Sequence, residues 1–396
     1  MHGQGSGDEA AQARAALTRA IKAQGSALGF DLIGVSPVQA PPHAASFAEW
    51  LLRSLHGEMA YMARTAEQRL RPQALLPWAK SVVSVGLNYN TPNTRASAPD
   101  GLRGWISRYA WGADYHQIME ENLARLLAAI RQAAGSAIQG RAFVDAGPVL
   151  DREVGARAGI GWYGKNTNLL SMAVGSFFVL GELFLECELD WDEPVRDRCG
   201  QCRLCLDACP TNAFVGPYVL DARKCISYLT IELKGPIPRE LRPQIGDHIF
   251  GCDLCQDVCP YNTRVRVTGE PGFFPREGLF APELVPLLAL TESAFRVRFA
   301  GTPILRAKRR GLLRNVCVAL GNLGQPEAVP ALARVLCEEA EPLVRSHAAW
   351  ALGRIRDAGA RAALAQAETS EQDPAVAEEI RLALAEQEGA PATEKT

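Results

Sequence analysis

Cys199-x2-Cys202-x2-Cys205-x3-Cys209-Pro210 is followed downstream by Cys252-x2-Cys255-x3-Cys259-Pro260, and this pair of runs decides how the chain is read. Spacings of two, two and three place three thiolates around one iron–sulfur cube and send the fourth to a second cube. The second run repeats the latter part of the first, but Ile249 stands where its leading cysteine belongs. The two runs therefore supply seven ligands where two cubes need eight. Cys225 lies between them, ahead of the turn-rich Lys234-Gly235-Pro236-Ile237-Pro238, and is the expected eighth. The expected quartets are Cys199, Cys202, Cys205 and Cys259, and Cys209, Cys225, Cys252 and Cys255.

Two alternatives stay open at this point. Zinc also accepts Cys-x2-Cys pairs, although two closed zinc sites leave the third cysteine of the first run and the matching Cys-Pro ends without a task. Cys187, in Phe184-Leu185-Glu186-Cys187, could replace Cys225 as the eighth ligand, but its apolar setting suits a core thiol.

A chain of 396 residues with 47% hydrophobic content has room for two or three domains with real cores. No run of about 18 uninterrupted apolar residues is present to span a bilayer. Met1 to Ala10 is polar and glycine-rich, without the basic and apolar regions of a signal peptide. Oxygen-sensitive clusters and reduced thiols belong in a reducing compartment, so a cytoplasmic protein is expected. A net charge of -2 gives no global attraction to nucleic acid; any such contact needs a local basic patch.

The chain reads as a multidomain protein of mixed α+β and α/β class, in which residues 1–194 are an α/β domain. Ser81 to Leu87 is a β-branched run suited to a buried strand, Tyr115 to Ala134 has helical periodicity, and Arg141-Ala142-Phe143-Val144 reads as a further strand. A helix is expected from about Pro148 to Gly159, then a long strand from Ser176 to Leu189, with Pro194 breaking the pattern. Residues 195–275 form a bacterial ferredoxin-like two-cluster domain. Residues 276–390 are rich in alanine, leucine and arginine, and Arg314 to Gly321 recurs as Arg345 to Gly353. The period of about 31 to 32 residues predicts HEAT-like α-helical repeats. Cys317 and Cys337 fall at apolar helical positions and are expected in its core; the residues after Glu386 are expected to be disordered.

A cluster module carries single electrons and selects no substrate, so an acceptor site is sought in the first domain. Asp145 stands where a predicted strand gives way to a helix, at the edge of an open α/β sheet where ligands usually sit; it equally suits a plain cap for that helix. Ser107 to His116 gathers aromatic rings, an acid and a histidine ahead of a helix, suiting a flat, amide-bearing ligand or an ordinary loop capped by Asp114. Arg64 and Arg69 could clamp an anion or line a solvated helix face. Glycines 159, 161 and 164 do not follow the strand, glycine loop, helix order of a nucleotide fingerprint.

Taken together, Ile106 to His116, Val144-Asp145-Ala146-Gly147-Pro148, Gly161 to Asn166, the cysteine runs, Ile231 to Pro238 and the trailing repeat resemble the epoxyqueuosine reductase family over nearly the whole chain. That resemblance implies removal of the epoxide oxygen from epoxyqueuosine at the tRNA wobble position, two [4Fe-4S] clusters, base-off cobalamin and a fold related to reductive dehalogenases. It implies Asp145 as proton donor, with a pKa raised by its pocket. The Asp-x-His-x-x-Gly pattern of other cobalamin proteins is absent, since Asp114-Tyr115-His116 has an aromatic in the middle and no glycine in place. Arg69, Tyr109, Tyr115, His116, Lys165, Asn166, Leu169, Ile226 and Asp253 are the candidate corrin and substrate contacts.

For tRNA, residues 306–314 carry five cations in nine positions, Arg306, Lys308, Arg309, Arg310 and Arg314, with Lys234 nearby. Phosphate contacts of this kind weaken with salt, and the wobble base must turn out into the cavity to react. Each of these side chains could equally belong to a solvated basic helix. A monomer supplied by an external electron donor, with no membrane, is expected. The rival readings are a reductive dehalogenase-like enzyme acting on a small substrate, and an electron-transfer subunit, which would hold clusters without a corrin.

Overall fold

The structure, a computed structural model, describes residues 5–388. Strands β1 (Leu32–Pro37), β2 (Ser81–Asn88), β3 (Gly140–Phe143) and β4 (Phe178–Leu185) form one sheet in the order β1, β2, β4, β3. All three pairings are antiparallel. The expected α/β arrangement is thereby corrected to α+β: sequential strands do not run parallel, so the rule placing ligands at the carboxyl edge of a parallel sheet has no purchase here.

Side-chain alternation splits the sheet between two cores. Val83, Val85, Leu183 and Leu185 face helices α1 (Gly5–Ala27) and α2 (Tyr115–Ala134), which bring Ile21, Met119, Leu123, Leu126 and Ile130. Val82, Phe143 and Phe184 face the other way, onto Val154 of helix α3 (Asp151–Arg157) and Leu76. Helix α2 keeps its expected limits because Asp114 caps it, accepting from the His116 N–H at 3.1 Å, and Gly135 ends it at φ 62°. Helix α3 starts later than expected, at Asp151, and β4 is shorter than the alternating run 176–189. Cys187, just past β4, packs on the α1/α2 core, as a core thiol should.

The two cluster runs lie on short turns, and their support crosses the domain limits read from the sequence. Trp105–Ile106 pairs in parallel with His248–Phe250. Trp105, Trp111, Ile226, Leu229, Ile249 and Phe250 then share one core with helix α4 (Lys308–Leu323). Helices α5 (Val329–Glu338), α6 (Pro342–Arg354), α7 (Ala358–Glu368) and α8 (Pro374–Glu388) complete the repeat array. The recurrence of Leu-Gly has a packing cause. A Cβ on Gly321 would meet the Ala351 Cα at 2.8 Å, and one on Gly353 would meet the Ala383 Cβ at 2.7 Å. Each glycine therefore lets successive repeat helices touch. Cys317 is buried, but Cys337 is exposed, because the inward stripe of α5 is Leu332, Val335 and Leu336. Glu388 is still helical, against the disorder expected after Glu386; the remainder of that call, the end of the 276–390 segment and the first four residues lie outside the described residues. Among the described residues, no helix is long and apolar enough to cross a membrane.

Helix α4 divides the basic run. Arg314 is 1% exposed and donates to the carbonyls of Leu229, Leu233 and Gly235 at 2.6, 2.8 and 2.7 Å. Arg309, a half-buried residue, donates to the Leu290 carbonyl and pairs with Glu339. Neither is free to meet phosphate, which corrects both as tRNA contacts. Arg314→Ala would leave three carbonyls without a donor and a void beneath the cysteine segment, so urea unfolding should show a loss of about 3 to 5 kcal/mol.

Candidate functional site

The thiols fall into two neighbourhoods. A cavity of about 170 Å³ is lined by Cys199, Cys202, Cys205 and Cys259, with Lys165 and Leu204 beside them. Burial pushes the Cys205 thiol up, and Cys259, Cys199 and Cys202 push it further. Trp162, whose buried indole N–H has no partner among the described residues, packs against Cys259 and Cys199, leaving a donor beside the cavity for a cluster sulfide. The second set is drawn the same way. Burial raises Cys225, opposed by the N–H groups of Tyr228 and Ser227 and reinforced by Cys209. Cys252 is raised by burial and by Cys225 and Cys209, and Cys255 by burial, Cys252 and Cys225. The fold brings together the two sets of thiols expected from spacing, with Cys225 beside Cys209 and Cys252. Four thiols crowded in a buried space resist ionisation until iron neutralises them, so both donor sets fit clusters.

The second quartet backs onto the aromatic segment. Asp253, between Cys252 and Cys255, accepts from the Ser107 hydroxyl and, at 2.7 Å, from the Arg108 N–H. Ile226, next to Cys225, is buried in the core against which Tyr109 packs. Neither side chain opens toward a ligand; each instead fixes the wall in front of the quartet. Tyr109 meets Tyr115 edge-on with ring centroids at 5.8 Å, and Tyr115 stacks on His116 at 4.1 Å.

Asp145 faces this wall from a loop, and 66% of its side chain is open to the recess. Its φ of 52° is left-handed, which costs a residue with a Cβ about 1 to 2 kcal/mol. The conformation is held by the Tyr115 hydroxyl, which donates to Asp145 Oδ2 at 2.6 Å, and by His116 Nε2 at 3.7 Å from the same oxygen. Asp145 caps no helix: the residue before α3 is Leu150, and no side chain caps it. Behind the loop, Arg69 is buried rather than on a solvated face; it donates to the Val149 carbonyl and, at 2.9 Å, to Thr65 Oγ1. Arg64 is exposed.

The protonation pattern reverses the expectation for Asp145. Desolvation by the packed wall would raise this carboxyl, but the facing His116 imidazole and the hydrogen bond from Tyr115 outweigh it and hold Asp145 below the usual carboxylate range. Burial opposes the His116 imidazolium, while Asp114, at 2.8 Å from Nδ1, and Asp145 overcome it and push His116 up to about 9. The mobile proton of the free site is on His116.

Sequence reading missed Tyr61 and Glu232, which sit across from Asp145 with Arg306. Arg306 Nε donates to Glu232 at 2.5 Å and its guanidinium lies 5.8 Å from the Tyr61 ring centroid. Burial raises Tyr61, and Glu232 and Asp145 raise it further while Arg306 opposes them, so the charge of Asp145 reaches this group. No local motif marks them. Lys165 and Asn166 are committed elsewhere. Lys165 Nζ donates to the Gly200 and Cys202 carbonyls at 2.5 and 2.9 Å, and Asn166 Nδ2 donates to Cys255 at 3.2 Å. Leu169 is buried beside Ile160 and Phe178. Lys165 and Asn166 thus hold the cysteine loops in place, and Leu169 belongs to a separate core. Of the basic residues, Lys234, Arg306, Lys308 and Arg310 are exposed.

Residues 69–146 match the family model "Epoxyqueuosine reductase QueG, DUF1730", residues 198–262 match "4Fe-4S double cluster binding domain", and residues 302–385 match "HEAT repeats". The second match decides between zinc and iron–sulfur in favour of two [4Fe-4S] clusters. An epoxyqueuosine reductase of Pseudomonas aeruginosa is 45% identical over 347 residues, 86% of this chain and 95% of the relative. A crystal structure of an epoxyqueuosine reductase with an epoxyqueuosine-modified tRNA-Tyr stem loop superposes with a TM-score of 0.86 at 32% identity, covering 94% of this chain and 99% of that one. The Bacillus subtilis epoxyqueuosine reductase, with its catalytic aspartate loop swung out of the active site, superposes at 0.85 and 31% identity, over 93% and 98% of the two chains.

Proposed function

The chain belongs to the epoxyqueuosine reductase family, and from that premise we propose that it reduces epoxyqueuosine in tRNA to queuosine, with electrons passing through its two clusters to a base-off cobalamin at the Asp145 recess. The observation that carries this reading is the contact between the second quartet and the recess wall: Asp253, between two of its ligands, holds Arg108, and Tyr109 is the next residue. His116 is engaged by Asp114 and faces Asp145, so it is not free as a metal ligand, and Tyr109, Tyr115 and Asp145 are the residues that would hold a corrin there. Bound there, cobalamin would supply low-valent cobalt as the immediate reductant of the epoxide. Titrating cobalamin into the anaerobic, cluster-loaded protein tests this; the absorption should shift to that of the base-off form, and an unchanged spectrum would remove the corrin from the recess.

Loss of the epoxide oxygen as water consumes two electrons and two protons; the residues supply the route for the first proton, and solvent supplies the second. The His116 imidazolium passes a proton to Asp145 Oδ2, whose left-handed backbone aims it into the recess. Filling the recess excludes water from Asp145, which favours its neutral form and lets it donate to the departing oxygen. Tyr115 keeps the carboxyl oriented. Because kcat/KM reports groups of the free enzyme, it should hold below about pH 9, where His116 is charged, and fall as pH rises through that value. In His116→Gln that basic limb should vanish; an unchanged limb would assign it to another group.

The wobble base would enter past Tyr61 and Arg306, with Lys234, Lys308 and Arg310 meeting phosphate. Reversing Lys234, Lys308 and Arg310 to glutamate should weaken tRNA binding about 10²-fold and reduce the slope of log affinity against log salt by about three. Filter binding at several salt concentrations reads both.

A further inference from the structure

The first cluster is the one nearer solvent. Cys202 is exposed, Leu204 is 51% exposed and Tyr218 is 42% exposed, and Leu204 lines the same cavity as the four thiols. Tyr218 lies close enough for Cys199 and Cys205 to act on its hydroxyl, which donates to Asp197. Lys165 and Arg198 line the same cavity, and the exposed Arg203 and Arg196 lie along the chain next to Leu204 and Asp197. The acids nearby are Glu193, Asp197 and Asp207. Asp197 is held by Tyr218 and by the Cys199 N–H at 2.7 Å, and Asp207 lies 3.5 Å from Arg203. Among the described residues, Arg196 and Arg198 have no carboxylate partner. The second quartet offers no such face: Asp253 and Ile226 beside it are buried toward the recess wall.

We infer that this patch is the docking surface for an acidic one-electron carrier protein, and that electrons enter at the Cys199, Cys202, Cys205 and Cys259 cluster. The inference rests on the reductase reading, which needs two electrons per epoxide and holds no donor of its own. In each encounter the carrier is oxidised by one electron and the first cluster is reduced by one; two encounters serve one turnover. A small apolar centre with a cationic rim suits a transient redox contact, in which buried area is low and rim charge sets the encounter rate. Anionic carriers fit that rim and cationic ones do not.

The test drives the holoenzyme on epoxyqueuosine-containing tRNA with one of two reductants, pre-reduced acidic [2Fe-2S] ferredoxin or dithionite. In Arg196→Glu/Arg203→Glu, kcat/KM for ferredoxin should fall at least about tenfold while the dithionite-driven rate stays at that of the unmodified protein. The ferredoxin-driven rate of the unmodified protein should also fall with added salt. Equal ferredoxin rates in both proteins would overturn the surface, and so would a matching loss with dithionite, which would tie the arginines to cluster integrity instead. If the unmodified protein failed to turn over with dithionite, the reductase reading itself would fall.

Discussion

Cys225→Ser should leave a protein that holds one cluster, has about half its iron, falling from about eight atoms per chain to about four, and does not turn over. Cys225 is the only ligand of its quartet outside the two runs, and it lies one residue before Ile226, which packs in the core behind Tyr109. Losing it removes the cluster on the recess side and leaves the Cys199, Cys202, Cys205 and Cys259 site intact, so the remaining cluster should still reduce with dithionite and give its own low-temperature EPR signal. The electron would then stop one step short of the recess. Cys187→Ser provides the contrast. Its thiol packs on the α1/α2 core, so iron content and turnover should match the unmodified protein. Full iron in Cys225→Ser would return the eighth ligand to another residue.

Asp145→Asn should lower the rate of the chemical step by about 10²- to 10⁴-fold, or about 3 to 5 kcal/mol of barrier, with both clusters retained. The amide can still accept from Tyr115 and fill the same volume, so the loop should keep its place. It cannot take up the His116 proton and release it to oxygen. Single-turnover kinetics with pre-reduced protein separates this from electron supply. The substitution should also uncouple His116, whose raised pKa depends on Asp114 and Asp145 together. A normal single-turnover rate in Asp145→Asn would move the proton donor to another group.

The parts legible in the sequence were those whose partners lie close along the chain. Cysteine spacing is a local property, and it marked the double-cluster segment, with the two expected sets of thiols drawn together by the fold. The repeat was legible because Gly321 and Gly353 recur for one steric reason. Strand direction was not, since it depends on how long connections return: β1 and β2 are neighbours across residues 38–80 and run antiparallel. Asp145 could be read as a cap because its real partners, Tyr115 and His116, lie far upstream. The basic run looked uniform until the segment after Cys225 placed carbonyls against one face of α4, drawing Arg314 inward and leaving Lys308 and Arg310 outside. Tyr61, Glu232 and Arg306 come from three distant segments, and only the fold brings them to the recess.

The most direct measurement is nucleoside mass spectrometry of epoxyqueuosine-containing tRNA after anaerobic incubation with the cluster-loaded protein and dithionite, with and without added cobalamin. The account predicts conversion to queuosine, seen as the loss of one oxygen, only when cobalamin is present. Equal conversion without any cobalamin in the protein, or none with it fully loaded, would contradict it.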